Sequence, residues 1–160
     1  MAEERNDGLL SGGQDAVMVY IDPEVIQSMA DVSAKKKRGF QDLLEAADEG
    51  DLDAQHRVAM AYCNGTDGAQ RDEKLAFQWF TKAAEGDYIA SQYGLGLCYI
   101  RGIGTEKDPE RGARLLTQAA EQGYPPALSE LGLCYELGTG VEMDKERAAE
   151  LYRASADQDY

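Results

Sequence analysis

Gly96-Leu97-Cys98-Tyr99 recurs 36 residues later as Gly132-Leu133-Cys134-Tyr135. At the same shift Leu95 maps to Leu131, Gly102 to Gly138, Gly104 to Gly140, Asp108 to Asp144, Leu115 to Leu151 and Ala120 to Ala156. A shift of 37 in the other direction relates Leu95 to Val58, Gly96 to Ala59, Tyr99 to Tyr62 and Gly102 to Gly65. Ala83-Ala84 and Ala119-Ala120 close equivalent segments. A fixed period of this length marks a repeat architecture, in which each unit hides its apolar face only by lying on its neighbours. Three copies follow, over residues 48–84, 85–120 and 121–156, the first with one extra residue in the loop from Asn64 to Arg71.

Each copy reads as two helices. Ser91, Leu95, Cys98 and Tyr99 fall at i, i+4, i+7 and i+8, one stripe of an amphipathic helix. Asp87 reads as its N-cap and Gly102 as its left-handed stop. Asp108-Pro109-Glu110 then supplies a cap, a proline at the first helical position and an acid in the first turn. Ala113, Leu116, Ala119 and Ala120 form the apolar face of the second helix, and Asp72 and Asp144 are the matching caps elsewhere. Pro125-Pro126 fits only a first turn. Glycine inside a helix costs about 1 kcal/mol relative to alanine, so Ala59, Gly96 and Gly132 in one slot imply close approach of the paired helix. Ala76, Gly112 and Ala148 make the same case on the second helix, with Tyr62, Tyr99 and Tyr135 as knobs filling the space left.

Before the repeats, residues 1–16 read as a flexible tail and 17–47 as an N-terminal capping segment. Within it, 35–47 matches a second helix, since Phe40, Leu43, Ala46 and Ala47 align with Phe77, Phe80, Ala83 and Ala84. Asp22-Pro23-Glu24 opens a preceding helix through Val25, Ile26 and Met29. Val17 to Ile21 is either a strand or an extended run. Residues 157–160 begin a truncated further unit, because Ala156 to Tyr160 copies Ala120 to Tyr124. An exposed last helix there is a candidate surface for self-association.

Composition narrows the partners. Lys and Arg number 16 against 30 Asp and Glu, a net charge of −14. Clustered cations are what phosphate backbones and anionic lipid need, so neither nucleic acid nor a membrane surface is expected. No apolar run approaches the roughly 20 residues of a bilayer span, and the acidic, Gly-rich start lacks the pattern of a secretory signal. Cys63, Cys98 and Cys134 are odd in number and far apart, which points to a reducing, cytoplasmic home and to small buried apolar groups. With no CxxC and one histidine, no metal or cofactor is expected. The Lys35-Lys36-Lys37-Arg38 run reads as a solvated helix face. Gly102-Ile103-Gly104 and Gly138-Thr139-Gly140 follow a helix, without the arrangement of a phosphate loop.

The units resemble Sel-one-like repeats, a tetratricopeptide-related class written A-x3-LG-x2-Y-x2-G-x-G, then D, then small and aromatic residues, then AA. The second copy supplies Ser91, Leu95-Gly96, Tyr99, Gly102, Gly104, Asp108, Gly112 and Ala119-Ala120. The third supplies Ala127, Leu131-Gly132, Tyr135, Gly138, Gly140, Asp144, Ala148 and Ser155-Ala156. The first departs at the Leu-Gly pair, where it has Val58-Ala59, and in its loop. The resemblance covers residues 35–160. It implies an all-α fold, a right-handed αα-superhelix of three repeats with an N-terminal helical cap. It also implies an adaptor or scaffold for other proteins, not an enzyme. A cysteine-paired branch of the class is linked to penicillin binding, and this chain lacks those pairs.

By the tetratricopeptide pattern, the first helices line a concave groove. Its candidate residues are Asp53, His56, Met60 and Asn64, then Tyr93, Leu97, Ile100 and Arg101, then Ser129, Leu133, Glu136 and Leu137. Large apolar residues among these, in an acidic protein, suggest a patch for an apolar or amphipathic peptide bearing Lys or Arg. The competing reading packs Leu97 and Leu133 against the next copy. His56 stands alone in the sequence and reads as a groove-edge residue, since a catalytic histidine needs a positioned partner. Alternatives are an enzyme or enzyme regulator related to cell-wall or β-lactam chemistry, for which no nucleophile or base is evident, and a self-associating solenoid fragment.

Overall fold

Aspartates set most of the helix starts. In the computed structural model, which describes residues 20–158, Asp22, Asp51, Asp72, Asp108 and Asp144 each accept a first-turn backbone N–H bond at 2.8–3.0 Å. The tail expected over 1–16, residues 17–19 of the strand-or-extended run, and residues 159–160 lie outside the described residues. Among the described residues seven helices follow in order: α1 (Pro23–Asp48), α2 (Leu52–Asn64), α3 (Glu73–Glu85), α4 (Ile89–Arg101), α5 (Pro109–Glu121), α6 (Pro125–Leu137) and α7 (Lys145–Ala156). No strand occurs among the described residues. The main contacts join helices consecutive in sequence, so the fold is an all-α solenoid of helix pairs α2/α3, α4/α5 and α6/α7.

Two local expectations need correction. Asp87 does not cap α4. It sits at φ 63°, in the left-handed region, and the N-cap is Tyr88, without a side-chain cap bond. The corresponding residues are Gly50 and Gly123, at φ 101° and 76°, so this slot carries the turn between repeats, and aspartate tolerates it better than most residues.

The capping segment is also one helix, not two. Position 35, which corresponds to the caps Asp72 and Asp108, is a lysine. With no cap there, and with Lys and Arg both good helix formers, α1 runs back unbroken to Asp22-Pro23.

Packing within a repeat follows the small residues. An added methyl on Gly112 would stand 2.7 Å from the Gly96 carbonyl oxygen and 2.6 Å from Ile100 Cγ1. A methyl on Gly132 would meet the Tyr152 ring at 2.9 Å. Two of the repeated tyrosines also reach between units. Tyr62 sets its ring edge-on to Phe40 at 5.4 Å, and Tyr99 does the same to Phe77 at 5.5 Å, each on the second helix of the unit before. Position 113, the next in this series, is alanine, so Tyr135 has no such aromatic.

The Gly-x-Gly loops have a steric role. A side chain on Gly104 would run into the Glu73 carbonyl, and one on Gly140 into the Pro109 carbonyl. A side chain on Gly68 would likewise meet Lys36, its Cβ 3.1 Å from the carbonyl oxygen. Lys36, Glu73 and Pro109 are equivalent positions by the repeat shifts. Each loop thus rests directly on the preceding helix, at its first residue for Glu73 and Pro109 and at the equivalent position inside α1 for Lys36.

Gly112→Ala separates sterics from propensity. The helix gains about 1 kcal/mol in propensity, but overpacking against backbone costs about 1–3 kcal/mol. Urea titration is expected to show a net loss of stability, whereas a gain would mean that α4 and α5 are not in close contact.

Candidate functional site

The site lies at the joint between the first and second repeats. There a cavity of about 350 Å³ opens. His56, Met60, Cys63 and Asn64 of α2 form one wall. Ala90, Tyr93, Gly94, Leu97, Cys98 and Arg101 of α4 form the other, with Phe80 of α3, Ile103 and Tyr124 completing the lining. Gly94 is what lets α4 lie on Phe80, since a methyl there would be 2.7 Å from the ring. Tyr93 stacks edge-on with Tyr124 at 5.6 Å, which fixes the far wall.

His56 has a partner that the sequence did not reveal. Its Nδ1 lies 2.9 Å from Ser91 Oγ on α4, and its ring packs on Phe80 and Tyr88 at 5.7 and 5.3 Å. Ser91 is wholly buried at 0% exposure. Its hydroxyl is out of a substrate's reach, and the bond ties two repeats together. Tyr88 Oη donates to Asp53 across the same joint at 2.8 Å. Burial favours the neutral imidazole and lowers the His56 pKa from 6.5, with Asp53 opposing it. The same burial pushes the Cys98 thiol up to about 12 and the Cys134 thiol up to about 11, so both stay protonated packing groups. Among the described residues no three His, Cys, Asp or Glu side chains gather as a metal site would require, and no helix is long and apolar enough to cross a membrane.

Of the expected groove residues, the structure brings His56, Met60, Asn64, Tyr93, Leu97 and Arg101 into this one cavity. Asp53 lies just outside it, bonded to Tyr88 and 3.9 Å from Arg57. Leu133 and Leu137 are exposed on α6, at 40% and 62%. Three residues lie elsewhere. Ile100 packs on Gly112 of its own repeat, because the missing side chain there leaves it room. Ser129 spends its hydroxyl on Ser155 Oγ at 2.8 Å, and Glu136 accepts from Tyr152 Oη at 2.7 Å, both toward α7.

The second joint is not a copy of the first. Glu130 stands where the first joint has Gly94, and it holds Arg101 at 3.0 Å. Sequence reasoning missed Phe80 and Gly94. The signal was there in the unlike residues at two equivalent positions, Phe80 against Leu116 and Gly94 against Glu130.

Stacked helix pairs with a cleft between successive first helices define an αα-superhelical interaction scaffold. The chain belongs to the Sel1 repeat family, whose model matches residues 52–88, 89–124 and 125–160. Each match begins at a first helix, with the same period as the sequence shifts. The chain is similar to the ERAD-associated E3 ubiquitin-protein ligase component HRD3B of Arabidopsis thaliana, with 35% identity over 78 residues, 46% of this chain and 12% of that one. Among solved structures it resembles a Sel1 repeat protein from Oxalobacter formigenes, with TM-score 0.71, 32% identity, and coverage of 76% of this chain and 48% of that one. It also resembles a protective antigen of uropathogenic Escherichia coli displaying an SLR fold, with TM-score 0.70, 33% identity, and coverage of 74% and 25%. The chain therefore spans less than half of each of these proteins. Proteins of this family typically mediate protein–protein interactions and are generally non-enzymatic scaffolds.

The buried His56 gives a pH test of the joint. In the unfolded chain its ring takes up a proton near 6.5, while the folded ring resists protonation. The unfolded state therefore binds more protons as pH falls through 6.5 toward the lower folded value, and stability drops over that window. Urea midpoints should fall in this window, above the range where carboxylates titrate, and His56→Gln should remove that fall. An identical slope in the variant would show that His56 is not the group responsible.

Proposed function

We propose that this chain is a non-enzymatic scaffold that holds a protein segment in the cleft between α2 and α4. The carrying observation is the cleft itself, about 350 Å³ of space walled by Met60, Phe80, Tyr93 and Leu97 at a joint between repeats. Met60 is 43% exposed, so its apolar surface is available to an occupant. A space of that size takes one or two large apolar side chains of an extended or helical segment. The chain's net charge of −14 favours an occupant with Lys or Arg beside its apolar centre, by steering the encounter and by complementarity. Leu133 and Leu137 extend the same helix face onto α6 and would guide the rest of the segment. A role as one component of a larger assembly agrees with the plant relative, itself a component of a ubiquitin ligase. A cytoplasmic setting is part of this proposal, supported by the unpaired thiols of Cys98 and Cys134 in the core.

The test is selection of peptides from a random library on the intact chain, followed by titration of the winners. The winners should have an apolar centre flanked by cations. Met60→Ser with Leu97→Ser should weaken them about ten- to a hundredfold, since both side chains are already partly covered and together contribute about 1.5–3 kcal/mol, roughly half of full burial of two such groups. Thermal melting should stay near that of the parent chain. Unchanged affinity would sink the reading, and so would loss of folding, which would make these side chains core.

A further inference from the structure

The first half of α1 stands apart from the repeats. Every residue from Tyr20 to Gly39 is exposed, and Phe40 is the first buried one. The loop bearing Gly68 reaches α1 at Lys36 and Lys37. The helix nevertheless runs unbroken from Pro23, so a stretch of about 20 Å projects beyond the body. A helix this short is marginal in water without tertiary cover. Its composition does not compensate, because Val25, Ile26 and Val32 are β-branched.

The projecting half carries a seam. Val25, Met29, Val32, Lys36, Gly39 and Leu43 alternate by four and three residues, the spacing of helices that pair side by side. Met29 and Val32 are 65% and 54% exposed, and Ile26 lies beside them. At the seam Lys36 offers a long methylene stem with its charge free to reach out. The repeats' own cleft is distant from this face, being walled by α2 and α4.

Charge says what fits. The stretch is acidic at its start, with Asp22 and Glu24, and basic at its end, with Lys35, Lys36, Lys37 and Arg38. We propose that the occupant is the same stretch of a second copy, running antiparallel. That orientation sets the acidic start of each helix beside the basic end of the other, with Met29 of one copy meeting Val32 of the second. A parallel pair would set four cations against four. It would also bring two repeat bodies together at one end, although each chain carries a net −14. Antiparallel pairing leaves the bodies at opposite ends and closes as a two-fold dimer. The paired surface is small, so association falls in the micromolar range. The pairing is independent of the scaffold reading, and it differs from contact through the C-terminal helix.

The experiment is sedimentation of the full chain from micromolar to high micromolar concentration. The mass should rise from 17.5 kDa toward twice that value. Met29→Glu with Val32→Glu should hold it at the monomer, with no change in the melting of the repeats. Lys35→Glu with Arg38→Glu should weaken association at least tenfold, and adding Glu24→Lys to that chain should recover part of it. A monomer at every concentration overturns the proposal, as does a dimer indifferent to Met29 and Val32. Association unmoved by the first charge reversal overturns the antiparallel arrangement. Binding of the monomer to phosphatidylserine vesicles through Met29, without dimerisation, would assign the seam to a membrane surface and also overturn it.

Discussion

The contact of a loop glycine with a helix backbone sets the pitch of this solenoid. Gly68, Gly104 and Gly140 lie on Lys36, Glu73 and Pro109, the same place on three successive second helices. All three glycines have positive φ, so a side chain would be resisted by conformation as well as by contact. Because the contact is with backbone, it is indifferent to the side chains of the underlying helix. This explains how one stacking geometry holds over Lys, Glu and Pro. The tyrosine edge contacts, Tyr62 on Phe40 and Tyr99 on Phe77, then act as a second point of attachment, between α1 and the first repeat and between the first and second repeats.

With the pitch fixed, function lies in whatever varies at a fixed position. At position 94 the side chain is absent, α4 lies on Phe80, and the space above stays open. At position 130 a glutamate fills the corresponding place and engages Arg101 at 3.0 Å. The pair is partly exposed and adds little to stability. Its consequence is geometric: it occupies with polar atoms what is apolar space one repeat earlier. A site at one joint of a regular array requires such a local break in the repeat.

The period, the helix pairs and the aspartate caps were legible because each follows from local chemistry: a side-chain oxygen near free N–H groups, proline at a first turn, a small residue in a fixed slot. The single α1 helix was also legible in principle, from lysine at position 35 where a cap belongs, but the two-helix repeat pattern outweighed that signal. The cleft was legible only in part. Tetratricopeptide geometry named Met60, Tyr93 and Leu97, which line the cleft, and also Ile100, Ser129 and Glu136, which do not line it. Those three are claimed by their own repeats through Gly112, Ser155 and Tyr152. A helix face is broad, and which of its edges turns toward solvent depends on partners that the period does not specify. His56 is the extreme case, since its partner Ser91 lies 35 residues away.

Placing the cleft at a joint has a thermodynamic consequence. In a linear array, stability is close to a sum of unit terms and nearest-neighbour terms. The walls belong to α2 and α4, which are in different units, so the proposed occupant would touch both and add to a neighbour term. Its binding energy therefore reports on the joint, and anything that loosens the joint weakens binding without touching the occupant. The His56–Ser91 and Tyr88–Asp53 bonds span this joint on the polar side of the cleft. They orient one wall against the other, and on the proposed reading the apolar side chains would supply the affinity. A scaffold built this way can hold a weakly structured segment firmly at one place, because the rigidity comes from the stacked repeats and only the occupant has to be ordered.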